Sequence, residues 1–220
     1  MKGALAFLAG LALAACQWLI YNYAPVEATL GPVQKIFYMH LPLAIWAMAS
    51  FLVVFAGSIA WLVWRRIGID HICEAAAEIG VLFSGLALAS GIIWARKSWG
   101  VWWTWDPRLT TTLIMWFLYC AYLVFRHIDL ETARKRTICA ILGIAAFLDV
   151  PLVFVSARMF RSIHPAVIGA GGLEPEMRLT AIASVAACGL LWLALLLLRQ
   201  GQLNLGWRLR KLKMQLENGE

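Results

Sequence analysis

The hydrophobic pattern of the chain consists of six long apolar stretches separated by short polar connectors. A helix needs about twenty residues to cross roughly 30 Å of hydrocarbon. The backbone of a segment in lipid must satisfy its own hydrogen bonds, so we predict that all six stretches are helices. The pattern therefore indicates an all-α, polytopic membrane protein with six transmembrane helices. Their predicted bounds are Ala4–Tyr23, Phe37–Trp64, Ile79–Ala95, Leu109–Phe125, Thr137–Ser156 and Leu179–Leu198.

The first stretch contains the segment Leu13–Cys16, which is similar to a bacterial lipoprotein cleavage box. The apolar run continues through Tyr21, however, so we interpret it as a membrane span and not as a processed signal. The chain has five cysteines, and none of them is paired in a C-x-x-C spacing. We therefore expect no disulfide framework, no cysteine zinc site and no covalent haem attachment.

The composition supports the membrane assignment. Hydrophobic residues make up 62% of the chain, against roughly 45–50% in soluble proteins, and only 14% of the residues are charged. The net charge of +7 does not indicate nucleic-acid binding, because the basic residues lie in short connectors between apolar stretches. Twelve Lys and Arg residues fall on one predicted side of the membrane and seven on the other. The positive-inside rule makes the first side cytoplasmic.

This topology places both termini in the cytoplasm and three loops outside, at residues 24–36, 96–108 and 157–178. We divide the chain into a six-span membrane domain, residues 1–200, and a cytoplasmic basic tail, residues 201–220. The tail is predicted to form a short surface helix through Trp207, Leu209 and Leu212.

The middle outward loop leads into an aromatic stretch, Trp99–Thr110, with the sequence WGVWWTWDPRLT. One interpretation is a membrane-interface belt, in which indole rings lie at headgroup level. A belt, however, distributes its rings over the ends of many helices. Four tryptophans in one short loop favour a platform of indole faces for a large flat ligand. These are Trp99, Trp102, Trp103 and Trp105.

Two of the four histidines, His40 and His164, fall on the same side as the tryptophans. Neutral imidazole is a common axial ligand of haem iron. We hypothesise that these two hold a haem as a bis-His complex over the aromatic platform. Zinc remains an alternative, because the outer loops also carry Glu27, Glu174 and Glu176. The other two histidines, His71 and His127, lie in inner connectors, where we expect solvated loop side chains.

Charged residues near the platform have several possible roles. Haem propionates favour nearby cations, and the candidates are Arg96, Lys97, Arg108, Arg158 and Arg161. Asp106 precedes Pro107, a common helix start, so we expect Asp106 to cap the fourth helix or to pair with Arg108. Asp149 lies within the fifth stretch, close to Pro151, and a carboxylate in a membrane span indicates a functional site by default.

The stretch WGVWWTWDPRLT resembles the WWD signature of the haem-handling proteins of cytochrome c maturation, and the chain is most similar to the CcmC family. That family has six spans and an outward WWD loop flanked by two outward histidines, which His40 and His164 match. The resemblance covers nearly the whole chain. It implies a non-enzymatic protein of the bacterial inner membrane that binds haem b non-covalently at its periplasmic face. Asp149 departs from the asparagine that we expect in the family at this position.

The resemblance also implies partners. The haem would be presented to the periplasmic chaperone CcmE, the transporter subunits CcmA and CcmB would release the loaded chaperone, and the small protein CcmD would join the complex. Proteins of the related CcmF family are much longer than this chain. The CcsA family is the nearest alternative assignment, and its WWD loop is typically in a longer protein. A cytochrome b and a membrane transporter are the alternative functions. A cytochrome b usually has four ligands within its spans, and a transporter needs polar residues at mid-membrane.

Overall fold

The computed structural model describes residues 2–128, 132–159, 164 and 173–217, without the side chains of residues 132, 157 and 158. A π-helical turn, Leu19–Tyr23, continues the first helix, and a 3₁₀ turn, Pro32–Ile36, precedes the second. Across the described residues there are no strands, and six helical segments are long and apolar enough to span a membrane, which confirms the predicted fold class. The α-helices are α1 (Lys2–Trp18), α2 (Phe37–Trp64), α3 (Ile67–Trp99), α4 (Pro107–His127), α5 (Thr132–Phe147), α6 (Asp149–Met159) and α7 (Pro175–Glu217).

Three of the six predicted spans differ from their predicted bounds by more than a few residues. α3 begins at Ile67 rather than Ile79, because its first turns carry acidic side chains that hydropathy does not assign to a span. The fifth stretch is divided at Leu148 into α5 and α6, shortly before Pro151. α7 continues without a break past Leu198 to Glu217, so the described part of the basic tail is an extension of the last span and not a separate surface helix.

The helices pack around α2, which contacts α3, α5 and α7, while α1 packs on α7 and α4 on α6. In the core the ring of Phe51 stacks on Tyr119 with centroids 3.7 Å apart. A Cβ at Gly80 would lie 2.6 Å from Cε1 of Phe51, so glycine is needed for this close approach of α2 and α3. Trp46 of α2 stacks on Trp192 of α7 at 4.9 Å, and its indole N–H donates to the carbonyl of Val185.

A network of ion pairs joins the helices at the end of the bundle that we predict to be cytoplasmic. Arg126 lies 2.9 Å from both Asp70 and Glu74, and Arg136 lies 3.3 Å from Asp70. The prediction for the neighbouring His71 is wrong, because this histidine is buried in α3 and its Nδ1 lies 2.6 Å from Oδ1 of Asn204 in α7. These charges are tolerated at buried positions because each is paired. The pairs connect α3, α4 and α5, since their members lie on all three helices.

The two ends of the bundle are distinct. Asp70 and Ser90 lie twenty residues apart on α3. At a helical rise of about 1.5 Å per residue, this separation is about 30 Å. His40, His164 and the tryptophan loop lie near the Ser90 end, whereas the ion pairs and the tail lie at the other. Six spans place the two termini on the same side of a membrane. That this side is the cytoplasm stays a prediction from the distribution of basic residues.

Candidate functional site

The structure brings His40 and His164 together although 124 positions separate them in the chain. The ring centroids of His40 and His164 lie 6.1 Å apart, and the ring planes are tilted by 34°. Both side chains line a cavity of about 470 Å³. The apolar part of this cavity follows α2 from Phe37 to Met48, about three turns of the helix. The tryptophan loop also contributes to the lining, through Trp102 and Trp103.

His40 is held by two adjacent residues of α3. Its Nδ1 lies 3.1 Å from Oγ of Ser90, and this hydroxyl in turn donates to the carbonyl of Ala87 at 3.0 Å. The serine hydrogen is therefore used, so Oγ accepts from Nδ1–H of His40 and the lone pair of the neutral imidazole lies on Nε2. A Cβ at Gly91 would lie 3.1 Å from Cε1 of His40, so the missing side chain makes room for the ring. Ser90 and Gly91 thus fix both the tautomer and the place of His40.

His164 has a different partner. Nη1 of Arg108 lies 3.2 Å from its Nδ1. Arginine can only donate, so Nδ1 is the acceptor and a neutral His164 carries its hydrogen on Nε2. Coordination of a metal through either ring nitrogen therefore requires a change at this contact. The two histidines are not equivalent, because His40 already presents a lone pair on Nε2 and His164 does not.

The four tryptophans of the loop do not form one platform. Trp102 and Trp103 line the main cavity, and Trp99 lines an adjoining cavity of about 200 Å³ that also touches both histidines. Trp105 is 77% exposed and packs edge-on against Trp103 with ring centroids 5.9 Å apart. Trp102 is also exposed, and the guanidinium of Arg96 lies 5.7 Å from its ring centroid. The loop therefore combines an inner aromatic wall with an exposed aromatic rim.

A further wall residue, Trp94, was missed by sequence reasoning. Its indole is buried, lines both cavities and packs edge-on against His40 at 6.2 Å and against Phe37 at 6.4 Å. In the sequence it stands inside a predicted membrane span, where a tryptophan near the end of a helix is ordinary. The sequence carried no signal for this role, because five residues on α3 separate Trp94 from Trp99 by about 140°.

Several buried polar atoms around the cavity have no hydrogen-bond partner within the described residues. They include Nε1 of Trp94, Nε1 of Trp103 and Nε of Arg108, all three on residues that line the main cavity. Each is a donor, and a buried donor without an acceptor is costly. Three such donors around one apolar cavity suit a ligand that is mostly apolar but carries acceptor oxygens.

Asp106 has the predicted structural role. Its carboxylate accepts from the backbone N–H groups of Arg108, at 2.9 Å, and Leu109, at 3.4 Å, and so caps α4. This cap holds the backbone of Arg108 in the first turn of α4. Glu27 accepts from the backbone N–H groups of Thr29 and Leu30 in its own turn, and these bonds lower the pKa of its carboxyl. Among the described residues no His, Cys, Asp or Glu joins the two histidines to form a metal-ion cluster.

The remaining candidates lie away from the cavity or outside the described part. The guanidinium of Arg96 also donates to the carbonyl of Gly100 and stabilises the turn after α3. Arg161 and the side chain of Arg158 lie outside the described residues. Asp149 is buried at the start of α6 but is absent from the lining of both cavities.

The chain is similar to proteins of one family over most of its length. The family model described as heme exporter protein C matches residues 1–215. Heme exporter protein C of Escherichia coli (strain K12) is 29% identical over 144 residues, which are 66% of this chain and 59% of the relative. The protein of the same name from Bradyrhizobium diazoefficiens is 31% identical over 196 residues, 87% of this chain and 74% of the relative. The matched part therefore spans 59% of the length of the Escherichia coli relative.

Proposed function

Because the chain belongs to the CcmC family, described as heme exporter protein C, we propose that it binds haem between His40 and His164 and presents it during cytochrome c maturation. The observation that supports this most directly is the histidine pair in the lining of an apolar cavity. Bound haem supplies an iron centre with two axial positions. The residues of this chain would hold that centre, orient the macrocycle and leave one edge exposed.

The spacing of the two histidines fits this ligand. A metal–imidazole bond is about 2.0–2.1 Å long, so two imidazoles that held one iron between them would have ring centroids roughly 6 Å apart. The observed separation is 6.1 Å. Pockets for small molecules and cofactors usually have volumes of several hundred cubic ångströms. The cavity, at about 470 Å³, has such a volume.

The polar atoms of the cavity suit the two propionates of haem. Arg108 supplies a guanidinium in the lining of the cavity, and Trp94 and Trp103 supply buried indole N–H donors without acceptors in the described part of the chain. We assign these three residues to the carboxylate end of the ligand. Arg108 then has two alternative partners, since it now donates to His164. An incoming carboxylate competes for the guanidinium and so releases Nδ1 of His164 for a change of tautomer.

The exposed rim suits transfer to another protein. Trp105 and Trp102 expose most of their surface beside the cavity, and Tyr and Trp are enriched at protein interfaces. We propose that the rim meets a CcmE-type chaperone on the periplasmic side of the inner membrane. The CcmA and CcmB transporter subunits and a CcmD-type protein are further proposed partners, from the resemblance of the sequence. The bound species is haem b, held without a covalent bond, and the protein acts as a binding and transfer protein.

The test is the absorption spectrum of the purified protein with ferric haem, with pyridine extraction to identify the macrocycle. We expect a six-coordinate, low-spin spectrum in the unaltered protein. His40→Ala and His164→Ala should each lose it, and added imidazole should restore it by filling the empty axial position. His127→Ala is the matched control, because His127 is exposed at the other end of α4 and bonds its own helix. An unchanged spectrum in His40→Ala would overturn the assignment.

A further inference from the structure

The last helix extends far beyond the membrane at the end opposite the histidine pair. α7 has 43 residues. A helix of that length measures about 64 Å at a rise of about 1.5 Å per residue, whereas the hydrocarbon core is roughly 30 Å thick. The extension remains attached to α3 as far as Asn204, through the pairs Arg199–Glu78 and Asn204–His71. Beyond Asn204 the helix continues for more than three turns, to Glu217.

The free part of α7 carries a narrow row of exposed leucines. Their spacing of four, three and four residues places them within about 60° of one another, at about 100° per residue. Asn204, which bonds α3, points about 100° away from the centre of the row by the same geometry. Leu203, which packs on the core, points to the opposite face. The row therefore faces away from the described helices that pack on α7. Its members, with their exposed fractions, are Leu205 (58%), Leu209 (58%), Leu212 (53%) and Leu216 (66%).

Such a row is the spacing by which an amphipathic helix docks on a partner helix or groove. Its neighbours are basic, because Arg208 and Lys213 flank it on either side, and Arg210 and Lys211 add positive charge to the same segment. The acidic residue nearest to them is Glu217, whose pair with Lys213 is 3.6 Å long and exposed, and such pairs contribute little. The row is therefore an apolar strip in a positively charged surface.

The basic residues beside the row indicate which kind of partner binds it. In a parallel pair of two copies, Arg208 of one helix would face Lys213 of the other, and like charges at these flanking positions disfavour the pair. A lipid surface fits poorly because α7 is one unbroken helix from the span to Glu217, so the row runs away from the membrane and its leucines face sideways and not towards the headgroups. An acidic partner satisfies both the leucines and the basic flanks.

We propose that this leucine row is a docking site for a protein partner that presents an apolar strip flanked by Asp and Glu, on the membrane side opposite the histidine cavity. Since the row and the cavity lie at opposite ends of the bundle, the proposal is independent of haem binding. It gives the protein a second interaction surface, through which a partner on that side can be recruited.

The test uses the full-length protein in lipid nanodiscs and a labelled synthetic helical peptide with leucine at its a and d positions and glutamate at e and g. Binding is measured by fluorescence anisotropy. We expect the peptide to bind, and the double variant Leu209→Gln/Leu212→Gln to weaken binding at least tenfold. Met214→Gln is the matched control, because Met214 is equally exposed, at 56%, but lies on the opposite face. The ferric haem spectrum of each variant should be unchanged.

Three results would overturn the proposal. One is equal binding of a peptide that carries lysine in place of glutamate, which would mean that charge plays no part. Another is self-association of the unaltered protein that the double variant abolishes, which would make a second copy the occupant. The third is binding of the nanodisc-held protein to separate vesicles of anionic lipid that the double variant abolishes, which would make the membrane surface the occupant.

Discussion

The hydroxyl of Ser90 should set the strength with which His40 binds iron, and Ser90→Ala tests this directly. The change removes the acceptor of the 3.1 Å bond from Nδ1–H and leaves the backbone of α3 intact. A hydrogen bond of this kind contributes about 0.5–1.5 kcal/mol. At about 1.4 kcal/mol per factor of ten, this is about two- to tenfold in the dissociation constant. Partners of metal-bound histidines elsewhere contribute about ten- to a hundredfold, so we expect about a tenfold loss.

Gly91→Ala tests the second contact that positions the His40 ring, the close approach of Gly91. The added Cβ would lie 3.1 Å from Cε1 of His40, a contact closer than normal packing allows, so the ring must move by a few tenths of an ångström. We expect weaker haem binding here as well, because a ligand displaced from its position loses bond strength to iron. The two variants act through different atoms, one through lost hydrogen bonding and one through steric displacement.

The assay is a titration of ferric haem into the purified apoprotein, followed by its low-spin absorption band. Ser84→Ala is the matched control, because Ser84 lies on the same helix, is fully buried and donates to the carbonyl of Gly80. The midpoint potential supplies a second readout. Loss of the Nδ1–H bond makes the imidazole a weaker electron donor, so Ser90→Ala should raise the potential.

The reasoning is refuted if Ser90→Ala binds haem as tightly as the unaltered protein with an unchanged potential. It is also refuted if Ser84→Ala weakens binding equally, since the effect would then come from the stability of α3. In a His40→Ala background, Ser90→Ala should have no additional effect on haem retention, because its only route to the iron is through His40.

Three further predictions concern the loop, the topology and the ion pairs. Trp103→Ala should retain haem through the two histidines but impair transfer to the chaperone. Replacing all four loop tryptophans should lose the haem. Haem content and chaperone loading, measured side by side in each variant, test both expectations. A reporter that is active only outside the cytoplasm should be active after Trp99 and silent after Glu217, and the reverse pattern would contradict the predicted orientation. Arg126→Leu leaves two carboxylates without their buried partner and should lower the free energy of unfolding by about 3–5 kcal/mol. Arg136→Leu removes a more exposed and longer pair and should lower it by about 1 kcal/mol or less. Thermal unfolding in detergent compares the two variants.

The sequence determined the features that depend on local physics. Six apolar stretches of spanning length must form helices in lipid, because no other spanning structure satisfies the backbone within one segment. Asp106 before Pro107 defined the start of α4, since a helix cap involves only its next three residues. The sequence also revealed the aromatic stretch and the two histidines on the same predicted side, because their number and their positions in the chain do not depend on how the helices pack.

Only the tertiary structure decided which side chains share the cavity. Trp94 is buried and lines the cavity, whereas Trp105 is exposed, yet in the sequence both are tryptophans at the edge of an apolar run. Ser90 and Gly91 support His40 from fifty residues away, and His71 is buried against a helix that begins a hundred residues later. These relations come from the angles and registers at which α2, α3 and α7 pack. Packing depends on the whole set of helix surfaces, and no short stretch of sequence contains it.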